Sequence, residues 1–333
     1  MNNLEELTLK IKNIIESERA IHPENIQYLN ASHSALVAQI ISSYNLKPSS
    51  EKMPQADMVV LGAPTGAGKD TLVRKIIMDN PEKNFIVLNM DMFRHYHDEI
   101  LGSHEDISDK QFARKTNQTS YELYYIIEQT ILKEFPGTNI IVTGTIKDLP
   151  WVKEIVERYK NDPKTNYAIS LVTLAVPTNE SAFSIFERYL SMVDTRESDN
   201  VPLRYTDLTY HNETIRDFIS NVSYFENDTR NNRDTAYFNS IKVYRRHKDM
   251  FDLSEDTLLY DSKTSPESET ATNHLRMIMT SRSQISSERI SNLLNIVKRN
   301  SDYLKSQGLY DEIGKDLAKV LPQLSKSPDD IEK

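Results

Sequence analysis

Three of the chain's eight glycines lie between positions 62 and 68, in the segment Val59-Val60-Leu61-Gly62-Ala63-Pro64-Thr65-Gly66-Ala67-Gly68-Lys69-Asp70-Thr71. An apolar run precedes these glycines, and a helical pattern begins near Lys69. In such a turn, successive backbone N–H groups can point inward around phosphate oxygens, and the start of the helix adds its positive end. The segment predicts a strand, a phosphate-binding loop and a helix. The alternative is a glycine-rich turn that caps a helix and binds nothing.

Two positions depart from the strict phosphate-loop pattern G-x-x-x-x-G-K-[ST]. Ala63 stands where the first glycine belongs, and Asp70 stands where Ser or Thr would contact Mg²⁺. A methyl group at Ala63 is tolerable if φ is negative there. Asp70 offers the hard oxygen ligands that Mg²⁺ prefers, directly or through a water, so we expect it to hold the metal. The residues expected to bind the nucleotide are Ala63, Pro64, Thr65, Gly66, Ala67, Gly68, Lys69, Asp70 and Thr71.

Apolar runs and helical stretches alternate along the middle of the chain. The apolar runs lie at 58–61, 85–88, 140–142 and 169–176. The helical stretches lie at about 69–79, 108–135, 148–161, 179–194 and 206–226. This order indicates βαβ units, and therefore an α/β fold with a parallel sheet between helices. Two further strands are predicted at 241–244 and 258–260, at an edge of the sheet.

Both ends of the chain have helical spacing. Helices are predicted at 1–19 and 24–46, and again from about 266 onward, with a frayed tail at 325–333. The segment from Lys47 to Pro54 breaks the pattern and is the best linker candidate. We therefore predict a helical N-terminal extension at 1–52, a core at 56–263 and a helical C-terminal extension at 264–333.

The composition narrows the partners and the compartment. A chain of 333 residues, 38% hydrophobic and 27% charged, suits two or three domains, or one domain with sizeable extensions. Its net charge of −9 argues against non-specific nucleic-acid binding, and the absence of cysteine excludes disulfides, thiolate metal sites and cysteine nucleophiles. No signal-peptide pattern and no run of about 18 apolar residues is found, so we expect a soluble, cytoplasmic protein without a membrane partner.

Charged residues after the strands are candidates for chemistry. Asp91 follows the second strand, at the sheet edge where ligands bind, and is placed either to take a proton from a hydroxyl or to cap the next helix. Arg188 and Arg204 are placed to stabilise charge on a γ-phosphate, although most arginines are solvated surface residues. His95 and His97 flank Tyr96 without metal-ligand partners, and we interpret them as loop polar groups or acceptor contacts.

An ordered set of motifs over residues 56–263 resembles the zeta toxin family, the kinases of bacterial toxin–antitoxin systems. The motifs are Pro64-Thr65-Gly66-Ala67-Gly68-Lys69, Asp91-Met92-Phe93, Ile140-Ile141-Val142-Thr143-Gly144-Thr145, Ala175-Val176-Pro177, Glu187-Arg188-Tyr189, Arg204, Val243-Tyr244-Arg245 and Leu259-Tyr260-Asp261-Ser262. The resemblance implies a P-loop kinase-like parallel sheet flanked by helices. It also implies transfer of the γ-phosphoryl group of ATP, with Mg²⁺, to the 3′-hydroxyl of UDP-N-acetylglucosamine.

The resemblance implies roles for matching residues. Lys69 would hold the β- and γ-phosphates, Asp91 would be the general base, and Arg188 and Arg204 would stabilise the transferring group. Arg196 is a competitor for the role of Arg204. Thr145 would help to bind the sugar nucleotide. A helical antitoxin that packs against the ATP site is the partner that such proteins have.

Thr143 is the departure that matters most. The family has a glutamate that contacts the acceptor sugar at this position, and a hydroxyl cannot offer two carboxylate acceptors. Losing such a contact changes acceptor choice, so NAD or a nucleoside is an alternative acceptor. With Ala63 and Asp70, this departure also leaves open a nucleotide-binding protein without transfer activity.

The N-terminal helices allow two interpretations. They either complete the fold or mediate self-association, or they form an inhibitory domain in cis that replaces a separate antitoxin.

Overall fold

A six-stranded, mostly parallel sheet forms the centre of the molecule. The computed structural model describes residues 3–46, 53–103, 107–195, 203–232, 235–246 and 257–321. The strands are β1 (Met53–Gly62), β2 (Ile86–Asn89), β3 (Ile140–Gly144), β4 (Thr165–Ala175), β5 (Ser240–Arg245) and β6 (Leu258–Asp261). Their order is β2-β3-β1-β4-β5-β6, and only β6 is antiparallel to its neighbour. The two additional strands predicted near an edge are β5 and β6.

The register of the central strands brings one set of chain ends together. Gly62 at the end of β1 pairs with Gly144 of β3 and Thr173 of β4, and Asn89 at the end of β2 pairs with Thr143. Parallel strands point the same way, so the loops that follow β1, β2 and β3 emerge at one edge of the sheet. That edge is where ligands bind in open α/β sheets.

Thirteen α-helices lie in the described part of the chain. They are α1 (Asn3–Ile21), α2 (Ser34–Ser43), α3 (Lys69–Asp79), α4 (His97–Leu101), α5 (Asp109–Lys115), α6 (Asn117–Glu134), α7 (Leu149–Lys160), α8 (Thr178–Thr195), α9 (Leu208–Asn231), α10 (Ala271–Thr280), α11 (Ser287–Arg299), α12 (Ser301–Ser306) and α13 (Tyr310–Val320). The helix predicted at 108–135 is divided into α5 and α6 at Thr116.

The N-terminal helices pack on the α/β core, against α6, rather than apart from it. Apolar side chains of α1 and α2 join those of α6, β1 and β3 in one buried cluster. The prediction of a helix over 24–46 is wrong in its first part, because α2 begins only at Ser34. The backbone N–H groups of residues 27–29 instead donate to the buried carboxylate of Glu122 on α6, at 3.0, 2.9 and 2.7 Å.

The predicted linker lies mostly outside the described residues. Only Met53 and Pro54 of the 47–54 segment are described, and both belong to β1. The predicted tail at 325–333 also lies outside the described residues. The division of the chain at 52 and 263 therefore stays a prediction.

A second buried apolar cluster joins the C-terminal helices to the core. Residues of α11, α12 and α13 pack there with α8 and with the segment that leads into α9. Its members include Phe186 and Tyr189 of α8, Tyr205, Leu293 of α11 and Leu317 of α13. The C-terminal helices thus pack against α8.

Candidate functional site

The loop after β1 has the backbone shape of a phosphate cradle. Gly66 and Gly68 have φ values of +77° and +87°, in the left-handed region that side chains disfavour. A Cβ at Gly66 would lie 2.2 Å from the backbone oxygen of Ser181 on α8, so only glycine fits. Ala63 is fully buried and does not have a positive φ, which explains why a methyl group is tolerated there.

Lys69 begins α3 and folds back over this loop. Its ammonium donates to the backbone oxygens of Ala63 at 3.2 Å and Pro64 at 3.4 Å. Burial lowers the pKa of Lys69 to about 8; the carboxylates of Asp91 and Asp70 oppose this effect, while Arg188 and Arg204 add to it. These charges are close enough to act on one another, so the five side chains lie near one another, and we call the region that they surround the cleft. Lys69 stays mostly protonated at neutral pH.

Asp91 lies in a short 3₁₀ helix that follows β2. The cap of that helix is Asn89, whose side chain accepts the N–H of Asp91 at 3.0 Å, so Asp91 itself does not act as the N-cap. Its carboxylate accepts from Arg94 Nε at 2.9 Å and is also paired with Arg204 Nη1. Burial would raise the pKa of Asp91, but the guanidinium groups of Arg204 and Arg94 outweigh it and lower that pKa to about 2.

Arg94 is a site residue that the sequence reasoning missed. Its side chain is buried, and it donates to the Ala113 backbone oxygen at 2.7 Å and to Thr116 Oγ1 at 3.0 Å as well as to Asp91. Arg94 therefore links Asp91 to the α5–α6 junction and fixes the orientation of the Asp91 carboxylate. The spacing of three residues between an acidic and a basic side chain could have indicated the pair.

Two further arginines reach the same cleft from different elements. Arg188 lies on α8, where its Nη2 is 3.5 Å from Thr206 Oγ1. Burial lowers the pKa of Arg188, and the nearby charge of Arg204 lowers it further. Arg204 belongs to the segment that leads into α9 and pairs with Asp91. Arg196, the predicted competitor, lies outside the described residues.

The turn after β3 lies against the phosphate loop. The Gly144 backbone oxygen accepts the N–H of Ala63 at 3.3 Å, and the side chain of Ile146 covers Gly62 so closely that a Cβ there would lie 2.6 Å away. Ile146 has a φ of +44°, which is unusual for a β-branched residue and marks local strain. Thr145 is half-buried in this turn.

Thr143 and Thr65 carry buried hydroxyl groups without a partner among the described residues. Within that part of the chain, the Oγ1 atoms of both residues are shielded from water and neither accept nor donate a hydrogen bond. Such groups are uncommon in folded proteins, and a bound ligand would satisfy them.

His97 is also buried, with its Nδ1 bonded to Thr119 Oγ1 at 2.8 Å. The ring of His95 stacks at a tilt on Tyr96, 3.9 Å between centroids.

Arg246 is a second residue that the sequence reasoning missed. It follows β5, and its Nη1 donates to the Gly66 backbone oxygen at 3.2 Å and to Ser184 Oγ at 3.3 Å. The contact ties the phosphate loop to α8. Its position directly after the carboxyl end of a parallel strand is the signal that could have drawn attention to it.

The cleft fits a nucleoside triphosphate with a divalent cation. Positive charge is supplied by Lys69, Arg188, Arg204 and Arg246. They surround a phosphate loop whose glycine turn has no room for a Cβ. Asp70 lies exposed on the first turn of α3, where a carboxylate can ligate Mg²⁺. Within the described ranges, no three His, Asp or Glu side chains cluster to hold a metal. Asp70 would therefore share the ion with phosphate oxygens and water.

Comparison with models of known protein families shows to which family this chain belongs. The model of the zeta toxin family matches residues 42–265, about two thirds of the chain. The chain belongs to the zeta toxin family. The matched region runs from the end of α2 to just beyond β6, and it contains every predicted site residue of this zeta toxin family member.

A solved structure has the same fold. A chain of the PezAT chromosomal toxin–antitoxin system of Streptococcus pneumoniae aligns with a TM-score of 0.61 at 18% identity, over 82% of this chain and 98% of that chain. The predicted α/β fold with a P-loop kinase-like sheet is thereby confirmed. A chain from a complex of AvrRxo1-ORF1 and AvrRxo1-ORF2 with ATP aligns with a TM-score of 0.47 at 13% identity. The alignment covers 92% of this chain and 84% of that chain.

A search of curated proteins finds no match to this chain. None of the helices in the described ranges combines the length and the apolar character needed to cross a bilayer.

Proposed function

We propose that this zeta toxin family protein is a kinase that uses ATP and Mg²⁺ to phosphorylate a hydroxyl group of a small molecule. The observation that carries the proposal is the pairing of Asp91 with Arg204 in the cleft that also holds Lys69 and Arg188. Phosphoryl transfer needs a phosphate cradle, positive charge on the transferring group and a carboxylate at the acceptor hydroxyl. These three parts come from the loop after β1, from α8 with its neighbouring segment, and from the end of β2.

The phosphate loop from Ala63 to Thr71 would bind the triphosphate, with Lys69 at the β- and γ-phosphates. Bound Mg²⁺, held by Asp70, would neutralise phosphate charge. Lys69 is already within 3.2 Å of a loop carbonyl and needs only to rotate toward the phosphates. Arg188 would stabilise the charge that the γ-phosphoryl oxygens carry during transfer.

Asp91 would orient the acceptor hydroxyl and take its proton. The acceptor oxygen forms a bond to the γ-phosphorus while the bond from that phosphorus to the β–γ bridging oxygen breaks, and ADP leaves with the electron pair. A carboxylate with a pKa of about 2 is a weak base. We infer that Arg204 leaves Asp91 for the γ-phosphoryl group when the substrates bind, which raises the basicity of Asp91 at the moment it is needed.

For the acceptor, we propose a UDP-N-acetylated amino sugar, phosphorylated on its 3′-hydroxyl. Thr143 and Thr145 lie beside the phosphate loop. The Thr143 hydroxyl is buried and has no hydrogen-bond partner in the described part of the chain, which supports a ligand contact there. The short side chain of Thr143 leaves NAD or a nucleoside as the alternative acceptor, because it cannot replace a carboxylate.

For the partner, we propose a separate antitoxin protein. The PezAT structure is described as a toxin–antitoxin system. Inhibition in cis by α1 and α2 is less favoured, because both helices pack on α6 and their loop is held by Glu122. Toxicity on expression that is relieved by the product of an adjacent reading frame would support the separate partner.

The test is product analysis with purified protein, ATP and Mg²⁺, and with UDP-N-acetylglucosamine, NAD and nucleosides as separate acceptors. We expect ADP and a phosphorylated UDP-N-acetylglucosamine by mass, and no product from Lys69→Ala. Phosphorylated NAD or nucleoside would keep the kinase and change the acceptor. ATP binding without any phosphorylated product would contradict the kinase and favour a nucleotide-binding protein.

A further inference from the structure

We propose that Asp109, together with the C-terminal helices α11–α13, positions both arginines of the cleft. This inference rests on the proposed function and assigns a role to a part of the chain that lies beyond the matched family region. Asp109 does not touch the cleft itself, so its role is positioning and not chemical.

Asp109 is a buried carboxylate that connects four segments of the chain. Its Oδ1 accepts the N–H of Leu203 at 2.7 Å, and its Oδ2 accepts the hydroxyls of Tyr189 and Tyr303, both at 2.6 Å. Its own N–H donates to Gln307 Oε1 at 3.1 Å. The side chain is 1% exposed, so these bonds are not exchanged for water.

Two of the partners of Asp109, Tyr189 and Leu203, are chain neighbours of the two arginines. Leu203 directly precedes Arg204. Tyr205, which directly follows Arg204, donates its N–H to the Asp109 backbone oxygen at 3.3 Å. Tyr189 follows Arg188 on α8. One residue therefore holds the backbone on both sides of Arg204 and the helix turn that carries Arg188.

The C-terminal helices complete this connection from the other side. Tyr303 and Gln307 belong to α12 and to the turn after it, and both bond to Asp109. On α11, Arg289 pairs with Glu187 at 2.5 Å and with Glu180 at 2.7 Å, which fixes α8 next to Arg188. The apolar cluster of α8 with α11–α13 supports the same arrangement.

Polar groups at the centre of this cluster are more specific than apolar packing would be. Three hydrogen bonds to one carboxylate define a single arrangement, whereas apolar side chains tolerate small shifts. Displacement of a catalytic group by about 1 Å can lower a rate about a hundredfold, so such precision at Arg204 matters for transfer.

The test compares Tyr303→Phe with Tyr125→Phe in the full-length protein. Each substitution removes one hydroxyl that donates to a carboxylate: that of half-buried Tyr303 to Asp109 at 2.6 Å, and that of buried Tyr125 to Glu18 at 2.7 Å. We expect Tyr303→Phe to lower kcat about tenfold with KM for ATP within about twofold, because ground-state binding is unchanged. Tyr125→Phe, at the N-terminal helices, should leave both constants unchanged. Asp109→Asn should exceed the effect of Tyr303→Phe.

A second readout does not depend on activity. When Arg204 is less firmly held at Asp91, the pKa of Asp91 rises, and a ¹³C carboxyl titration by NMR detects the change. We expect this rise in Tyr303→Phe and not in Tyr125→Phe. Equal kcat and equal Asp91 titration in the two variants would overturn the inference. If the wild-type protein transfers no phosphoryl group, the kinase proposal fails, and the titration alone still decides whether Asp109 and α12 position Arg204.

Discussion

Arg204 is ion-paired with Asp91, so the expected clamp on the γ-phosphate and the expected base hold each other in the cleft. The two residues come from segments more than a hundred positions apart. The pair keeps Asp91 ionised and Arg204 close to the place where the transferring group would lie. In the proposed mechanism, the pair would keep Asp91 from acting as an effective base until Arg204 moves.

Replacing Arg204 by Gln should raise the pKa of Asp91 from about 2 toward its ordinary value of 3.8. Since the folded-state value lies below the unfolded one, ionised Asp91 stabilises the fold above pH 3.8, and this contribution is lost as the pH falls to 2. In Arg204→Gln this pH-dependent loss should be smaller, because the folded-state pKa of Asp91 comes closer to the unfolded value. Unfolding measured by denaturant at pH 2 to 6 checks this. Identical pH curves for the two proteins would show that the pair does not persist in solution.

Gly66→Ala should destabilise the protein more than Gly102→Ala. Both glycines have positive φ, +77° and +67°, so each substitution costs about 1–2 kcal/mol in backbone strain. At Gly102 no atom of a described residue lies within 4 Å of the added Cβ, whereas at Gly66 the Ser181 oxygen is 2.2 Å away. Denaturant unfolding and ATP titration calorimetry separate the two variants. Comparable stability and ATP affinity would mean that the loop does not have the described shape.

Thr143→Val should weaken acceptor binding and leave stability unchanged, whereas Thr173→Val should lower stability. Thr173 Oγ1 donates to the Lys242 backbone oxygen at 3.1 Å, so its removal costs about 1 kcal/mol of unfolding free energy. Thr143 Oγ1 has no partner in the ranges that the structure describes, so Thr143→Val should leave stability within about 0.5 kcal/mol. Thr143→Val should instead raise KM for the acceptor about fivefold, the value of one neutral hydrogen bond. An unchanged acceptor KM would remove Thr143 from the acceptor site.

Glu122→Ala should lower the unfolding free energy by about 3 kcal/mol, since it leaves three backbone N–H groups of the α1–α2 connection without their acceptor. Glu154→Ala is the control, because Glu154 is half exposed and its pair with Arg158 is a surface pair. The control should cost less than about 1 kcal/mol. Similar midpoints for both variants would contradict the packing of the N-terminal helices.

The centres of β1 to β4 were predictable because each contains a short apolar run. Val59, Ile141 and Leu171 lie in strands buried by helices on the sheet faces, and continuous apolar runs are typical of such strands. The loop and the start of α3 at Lys69 were predictable for a local reason as well. Glycine-rich turns have few conformations, and Lys69 begins the helix as expected.

Contacts between distant segments were not predictable. The first part of the helix predicted at 24–46 does not form, because Glu122, more than ninety positions away, accepts the backbone N–H groups of residues 27–29. Asp109 bonds to Gln307, 198 positions away, and no local pattern marks either residue. Arg246 reaches Gly66 across 180 positions. Single-sequence periodicity reports local burial, and these contacts depend on how the elements assemble.

The most direct test of phosphoryl transfer in this cleft is to measure ATP binding and transfer in parallel for the wild-type protein and Asp91→Asn. The amide keeps the shape of the side chain but cannot take a proton. We expect ATP affinity to change less than about threefold, while transfer to the acceptor falls about a hundredfold to ten-thousandfold, as for loss of a general base. Equal transfer by both proteins would contradict the role of Asp91 and, with it, the proposed mechanism.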